Sequence, residues 1–326
     1  KMNETIATRR VKRLTMIQKF SPIVILAVLF GVMTIVNPSF LQRASLMNLL
    51  KQCAVYGILA IGETYMIMTG GIDLSVSAVC CFTGCMISFL NAKMGMSPVA
   101  SLLVGFAIAL AVGLINGILT AIVNIPDFIA TLGTQTILNG LALLITGGLS
   151  ITGIAKSITT VGAKSGLGIG FPFAALAFFG VLLVGWFLQE KTTLGRNFLA
   201  IGGNKEAARV SGVKIISTKI WACILSAAFA AIGGLVLVGR LNSANALMGS
   251  GYELDAIACV VVGGTSINGG SGRMVGTLIG VLIMAIINTG MDMAGLASYY
   301  QDIIQGIVIV LVLALDCVIR KKLSDG

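Results

Sequence analysis

The sequence predicts an all-α polytopic membrane protein with about ten transmembrane helices, some of them broken, and three observations predict it. Hydrophobic residues make up 57% of the 326 and charged residues only 10%, with a mean hydropathy of +1.01. A soluble domain carries about a quarter charged residues. Apolar runs of membrane-spanning length follow one another along most of the chain. Most of the 22 basic residues lie in the first 19 residues, in the segment 189–219 and in the last seven. Short basic segments between spans face the cytoplasm. The net charge of +10 therefore reads as positive-inside topology and not as a nucleic-acid surface. Both termini are expected in the cytoplasm, so the number of spans is even.

Residues 1–19 read as a basic cytoplasmic tail, because they run into an apolar segment without a small-x-small cleavage site. The first span, 20–36, runs outward and is ended by Asn37-Pro38. The next stretch, FLQRASLMNLLKQ, places Leu46, Leu49 and Leu50 on one face, as a separate interfacial helix would. A second span, 53–69, contains Glu63 and is interrupted at Gly70-Gly71-Ile72-Asp73-Leu74-Ser75. Two glycines and an acid at membrane depth predict a broken helix whose freed backbone faces protein or water. The third span ends near Leu90, and the fourth, 98–123, carries Gly113-x3-Gly117, a spacing that lets helices approach closely. In the fifth, 128–146, Thr131, Thr134, Gln135, Thr136 and Asn139 recur at helical spacing and form a polar face.

Residues 147–170 are too polar for a span and are placed outside. The sixth span, 171–188, leads into the polar segment 189–219, and the seventh is 220–238. GYELDAIACVVVGGTSINGGSGR, 251–273, reads as an eighth span dissolving into glycines near the cytoplasmic side. Spans 274–291 and 300–318 complete the count, and Arg320-Lys321-Lys322 begins a cytoplasmic tail, 320–326. The permease domain is thus 20–319. TGGIDLSV at Thr69 and VGGTSING at Val262 echo one another, each placing Gly-Gly and a polar pair after an apolar helix. Two such breaks in corresponding places point to a midplane site or gate.

The segment 189–219 is the longest polar stretch between apolar runs. Within it Glu206-Ala207-Ala208 suits a short helix, with Asn204 as its N-cap and Gly212 beyond its C-terminus. No residue set supports catalysis, since the serines have no histidine and the acids are scattered one per segment. Seven cysteines without a C-x-x-C pair, in a chain without histidine, leave zinc and haem without their usual ligands. What remains is passage of a polar molecule, for which Gly70, Gly71, Asp73, Ser75, Thr131, Gln135, Asn139, Gly263, Gly264, Thr265 and Ser266 are the candidate path or gate. Asp73 either meets the substrate or accepts hydrogen bonds from the broken backbone. The polar face of the fifth span either lines the path or bonds neighbouring helices.

TTLGRNFLAIGGNKEAARVSGV at Thr192, with TGGIDLSV, FIATLGTQTILNG at Phe128, GYELDAIACVVVGGTSINGGSGRMVGTLIG at Gly251 and SYYQ at Ser298, resembles the permease subunits of bacterial sugar ABC importers of the ribose and galactose type. EAA-x3-G resembles the loop of such permeases that seats in the ATPase, although the Ile-x-Leu-Pro ending of many EAA loops is absent. The resemblance implies a ten-helix permease of the second importer type in the bacterial inner membrane, importing a simple sugar, ribose first. It implies two copies of the permease or a paired relative, a cytoplasmic ABC ATPase that binds ATP and Mg, and a periplasmic sugar-binding protein. Arg196, Gly203, Asn204, Glu206, Ala207, Ala208 and Gly212 would couple to the ATPase. The chain has no G-x4-GK[ST] phosphate loop, so ATP would be hydrolysed by the partner. An ion-coupled secondary transporter or channel is the alternative, with intramembrane acids in place of an ATPase.

Overall fold

The computed structural model describes residues 21–297 apart from 164 and 167–170, together with 299–301, 303–308, 310, 311 and 314. The two terminal tails, Ser298, Asp302, Asp316 and the end of the expected last span beyond 314 lie outside the described residues. The described residues are mostly helical: α1 (Ser21–Val36), α2 (Arg43–Met68), α3 (Val76–Ala92), α4 (Pro98–Ala121), α5 (Asp127–Thr146), α6 (Lys156–Ala163), α7 (Phe173–Lys191), α8 (Thr193–Gly203), α9 (Lys205–Val210), α10 (Ile215–Leu241), α11 (Tyr252–Val262) and α12 (Met274–Met293). A two-residue antiparallel ribbon pairs Ser165–Gly166 with Phe171–Pro172.

Six of these helices, α2, α4, α5, α7, α10 and α12, are long and apolar enough to cross a membrane, while α1 and α3 are apolar but shorter. Helix α11, read as an eighth span, has 11 residues. At 1.5 Å per residue it reaches about 16 Å, half of a hydrocarbon core of roughly 30 Å. It is a half-helix that stops where Gly263 begins.

Helix α10 forms the centre of the bundle. Buried residues fill 72% of its most apolar window, against 22% for α5, which is peripheral. It packs against α2, α3, α4 and α6. The α4 contact follows from the glycine spacing: a Cβ on Gly113 would sit 2.8 Å from the Cys223 carbonyl oxygen, and one on Gly117 2.8 Å from the Ile220 Cα. Bare backbone on α4 thus lets the helices touch, as the Gly113-x3-Gly117 spacing predicts. The outward faces of α4 and α5 carry Leu103, Leu114, Ile137 and Leu144 exposed, the arrangement required of helices bounded by lipid.

Two expectations are corrected. The amphipathic stretch around Leu46–Leu50 is no separate helix, since α2 runs unbroken for 26 residues and buries Leu49 with the core. Nothing between Arg43 and Met68 interrupts the hydrogen-bond ladder, so the polar turn simply continues the apolar one. The segment 147–170 is not a bare loop. It folds α6 onto the end of α10, where Gly162 and Gly239 bring the two backbones together and Ile158 is buried. Ile151 and Ala244 exchange backbone hydrogen bonds of 2.7 and 3.0 Å beside it.

Candidate functional site

The first break separates α2 from α3 at residues 69–75. Its freed N–H groups are met from within the bundle by side chains. Asp73, 3% exposed, accepts from the Ser75 N–H at 2.9 Å and the Ser75 hydroxyl at 2.5 Å through one oxygen, and from the Ser226 hydroxyl of α10 at 2.7 Å through the other. The Asp73 N–H donates to Glu63, wholly buried on α2, at 3.1 Å. The chain of bonds continues outward: Asn116 of α4 donates to the Ser75 hydroxyl at 3.0 Å, and Thr134 of α5 donates to Asn116 at 2.6 Å. Thr131 accepts the Leu74 N–H at 3.1 Å. One network therefore ties α2, α4, α5 and α10 to the broken segment. Three hydrogen bonds to this one buried carboxyl group offset part of the cost of taking it out of water.

Above the break lies an ion pair. Asp127, at the first turn of α5 where an acid also suits the helix dipole, meets Lys219 of α10 at 2.9 Å. The Asp127 carboxylate lies 3.0 Å from where a Gly71 Cβ would stand.

The second break separates α11 from α12 at residues 263–273. Ser266 folds it locally, donating its N–H to the Ser271 carbonyl at 3.1 Å while its hydroxyl accepts the Asn268 N–H at 3.2 Å. Gln189, buried at the end of α7, holds it from outside. Its amide donates to the Gly272 carbonyl at 2.8 Å and accepts the Met274 N–H at 2.8 Å.

The two breaks touch. The Gly270 N–H donates to the Met68 carbonyl, the last of α2, at 3.0 Å. A Cβ on Gly269 would lie 2.7 Å from the Gly70 nitrogen and 2.8 Å from the Gly202 Cα, and one on Gly270 2.6 Å from the Gly203 Cα. Gly202 and Gly203 end α8. The segment 189–219 thus rests its own glycine pair on both breaks at one backbone-to-backbone contact. Gly269 and Gly270 hold φ of 83° and 74°, values at which a side chain would be strained.

Beyond Gly203 the chain turns into α9. Asn204 accepts the Ala207 N–H at 2.9 Å as its N-cap, Ala208 is buried, and Gly212 sits beyond the end at φ 85°. Arg196 is exposed on α8, and Glu206 pairs with Arg209 at 2.7 Å on the outer face. Helix α9, the start of α10 and the end of α4 enclose an open groove of about 830 Å³ floored by Ile216, Ile220 and Trp221. Trp221 is exposed there, and Val210 is exposed at the end of α9.

Gln135 and Asn139 belong to neither break. With Ser77, Ser250 and Glu253 they line a cavity of about 100 Å³ toward the far end of the bundle. Gln135 donates to Glu253 there at 3.1 Å. The candidate residues therefore divide into three places: the touching breaks, the coupling segment and this cavity. Asn116, Gln189 and Ser226, which tie the breaks to their neighbours, were not singled out from the sequence. For Asn116 and Ser226 a lone polar residue in an apolar span was the available signal. Helix α8 was also missed, although Leu194, Phe198 and Ile201 recur at helical spacing and two of them are buried.

Spanning helices, paired breaks at glycines and a buried polar network define a multi-pass membrane protein with discontinuous helices. Residues 45–313 match the family model described as the permease component of the branched-chain amino acid transport system. The chain belongs to this permease family. It is 41% identical to the ribose import permease protein RbsC of Bacillus subtilis (strain 168) over 305 residues, 94% of each chain. It is 37% identical to RbsC of Escherichia coli (strain K12) over 96% of this chain and 98% of that one. The galactose/methyl galactoside import permease protein MglC of the same strain is 38% identical over 95% of this chain and 97% of its own. No solved structure matches the chain.

Proposed function

We propose that this chain is the transmembrane permease subunit of an ATP-driven ABC importer that moves a simple sugar, ribose before others, into the cytoplasm. The observation that carries the reading is the end-to-end similarity to sugar import permeases, 41% over 94% of both chains for a ribose permease. The subunit is not an enzyme. ATP and Mg belong to a cytoplasmic ATPase partner, and a periplasmic binding protein delivers the sugar. Two permease copies complete the assembly in the bacterial inner membrane, each with ten membrane segments and both termini cytoplasmic. The half-helix α11 and the shorter α1 and α3 count among the ten.

In this reading α9 and its groove seat the ATPase, with Arg196, Gly203, Asn204, Glu206, Ala207, Ala208 and Gly212 in the coupling segment 189–219. Closure of the ATPase pulls α9, and α8 carries the displacement to the glycine contact where both broken helices end. The gate is then Gly70, Gly71, Asp73, Ser75 and Thr131 on one side and Gly263, Gly264, Thr265 and Ser266 on the other. Backbone contact without side chains suits such a joint, because two bare surfaces slide without repacking. Segments 147–170 and 240–251, at the opposite end, receive the binding protein.

The test is reconstitution of the chain with its ATPase and binding protein, measuring ATP hydrolysis and uptake against a sugar panel. Ribose-dependent stimulation of both is expected. In Glu206→Arg the ATPase should fail to associate while the permease still inserts, since the exposed pair with Arg209 contributes little to folding. Unchanged uptake in that variant, or uptake driven by a proton or sodium gradient without an ATPase, would overturn the reading.

A further inference from the structure

Glu253 opens the half-helix α11 at the end of the bundle away from the coupling segment. One of its oxygens accepts from Gln135 at 3.1 Å. The other, Oε2, is screened from solvent and has no hydrogen-bond partner among the described residues. A buried carboxylate oxygen left without a donor is costly. Here it borders a cavity of about 100 Å³, well above the roughly 10–15 Å³ that one water needs. The remaining polar lining is Ser77, Asn139 and Ser250, hydroxyls and an amide, and no lysine or arginine takes part.

We propose that this cavity is a sugar-receiving subsite, built for the vicinal hydroxyls of a neutral monosaccharide, with Glu253 and Asn139 as its recognition pair. The inference rests on the import reading and adds a binding place to it. Chemistry selects the ligand class. A carboxylate oxygen without a partner asks for a donor, which excludes anions in a lining without a cation. The neighbouring amides and hydroxyls both donate and accept, as a sugar hydroxyl does. An apolar wall at Leu143 meets the C–H face of the ring. The position also matters mechanically, because α11 carries Glu253 in its first turn and ends at Val262 against Gly263, about 15 Å away at 1.5 Å per residue. One end touches the sugar and the other is the glycine break on which α8 rests. Occupancy of the cavity and closure of the ATPase therefore act on opposite ends of one short rod.

The test uses the full importer in proteoliposomes, with ATPase and binding protein, and reads ribose taken in per ATP hydrolysed. In Glu253→Ala this ratio should fall about tenfold or more, the scale of one charged hydrogen bond, while ATP hydrolysis stimulated by the binding protein persists. A purely structural role would lower both together. Asn139→Ala, at an exposed position that burdens folding little, should lower the ratio in the same sense. Cys81, which also lines the cavity, gives a direct readout: ribose should slow its alkylation in the unaltered importer and not in Glu253→Ala. An unchanged ratio in both variants, or alkylation of Cys81 indifferent to ribose in an importer that does transport it, would sink the subsite and leave the import function standing. An unaltered importer that moves no sugar with ATP would overturn the function and the subsite together.

Discussion

Adding one methyl group at Gly202 should separate the coupling segment from the breaks, and the neighbouring Gly203 supplies the control. A Cβ on Gly202 would overlap the Met68 carbonyl oxygen and the Gly270 nitrogen, and would stand 2.9 Å from the Gly269 Cα. All three are backbone atoms, so no rotamer change relieves the clash, and α8 must lift. Overpacking of this kind costs about 1–3 kcal/mol. Lifting also strains the 3.0 Å bond from Gly270 to Met68, worth about 1 kcal/mol more. Gly202→Ala should therefore destabilise by about 2–4 kcal/mol. At Gly203 the same methyl meets only the Gly270 Cα, at 3.9 Å, an ordinary contact. Alanine there gains up to about 1 kcal/mol of helix propensity in a helix interior and less at this last turn. The assay is thermal unfolding of each purified variant in detergent, together with ATP-driven uptake in liposomes. Gly202→Ala should unfold at lower temperature and hydrolyse ATP with little uptake, and Gly203→Ala should unfold at the temperature of the unaltered chain or above it. Equal unfolding temperatures, or damage that is worse at Gly203, would refute the backbone contact.

Two further outcomes follow from single hydrogen bonds. Ser226→Ala removes the 2.7 Å donor to one oxygen of the buried Asp73 and should cost about 2–3 kcal/mol. Ser226→Thr, which keeps the hydroxyl, should recover part of that in the same unfolding measurement. Asn204→Ala deletes the cap on the Ala207 N–H and should cost about 1 kcal/mol, confined to α9. Hydrogen exchange of amides 205–210 should then rise while ATPase association weakens, and an unprotected α9 in the unaltered chain would show that the cap does nothing.

Some of this was legible because the signals are local. Asn204 and Gly212 bracket a helix through bonds to residues three or four away, so spacing alone places α9. Gly113 and Gly117 announce a close helix contact because they remove side chains from one face, whatever the partner. Gly70-Gly71 and Gly263-Gly264 announce breaks for a different but equally local reason, since paired glycines beside polar residues weaken a helix. Other elements were illegible for the opposite reason. The stretch that became α8 contains three glycines, which lower its propensity, and its packing on the breaks restores it. Asn116 and Ser226 each look like one polar residue in an apolar run, and Gln189 looks like the first of the polar segment that follows it. Their meaning lies in partners that are far away in the chain. Gln135 and Asn139 share the polar face of α5 with Thr131, yet the structure sends them to a different place, because one helix passes two neighbours along its length.

Taken alone, the sequence determined residence in the membrane, the two breaks and the short helix α9. These depend on composition and on hydrogen bonds between near neighbours, which any stretch of chain carries with it. Only the tertiary structure decided that Gly70, Gly202 and Gly269 meet, that Ser226 donates to Asp73, and that Gln135 meets Glu253 beside a cavity. Those contacts arise when helices pack, and packing joins surfaces whose shape is set jointly by residues scattered over the whole chain.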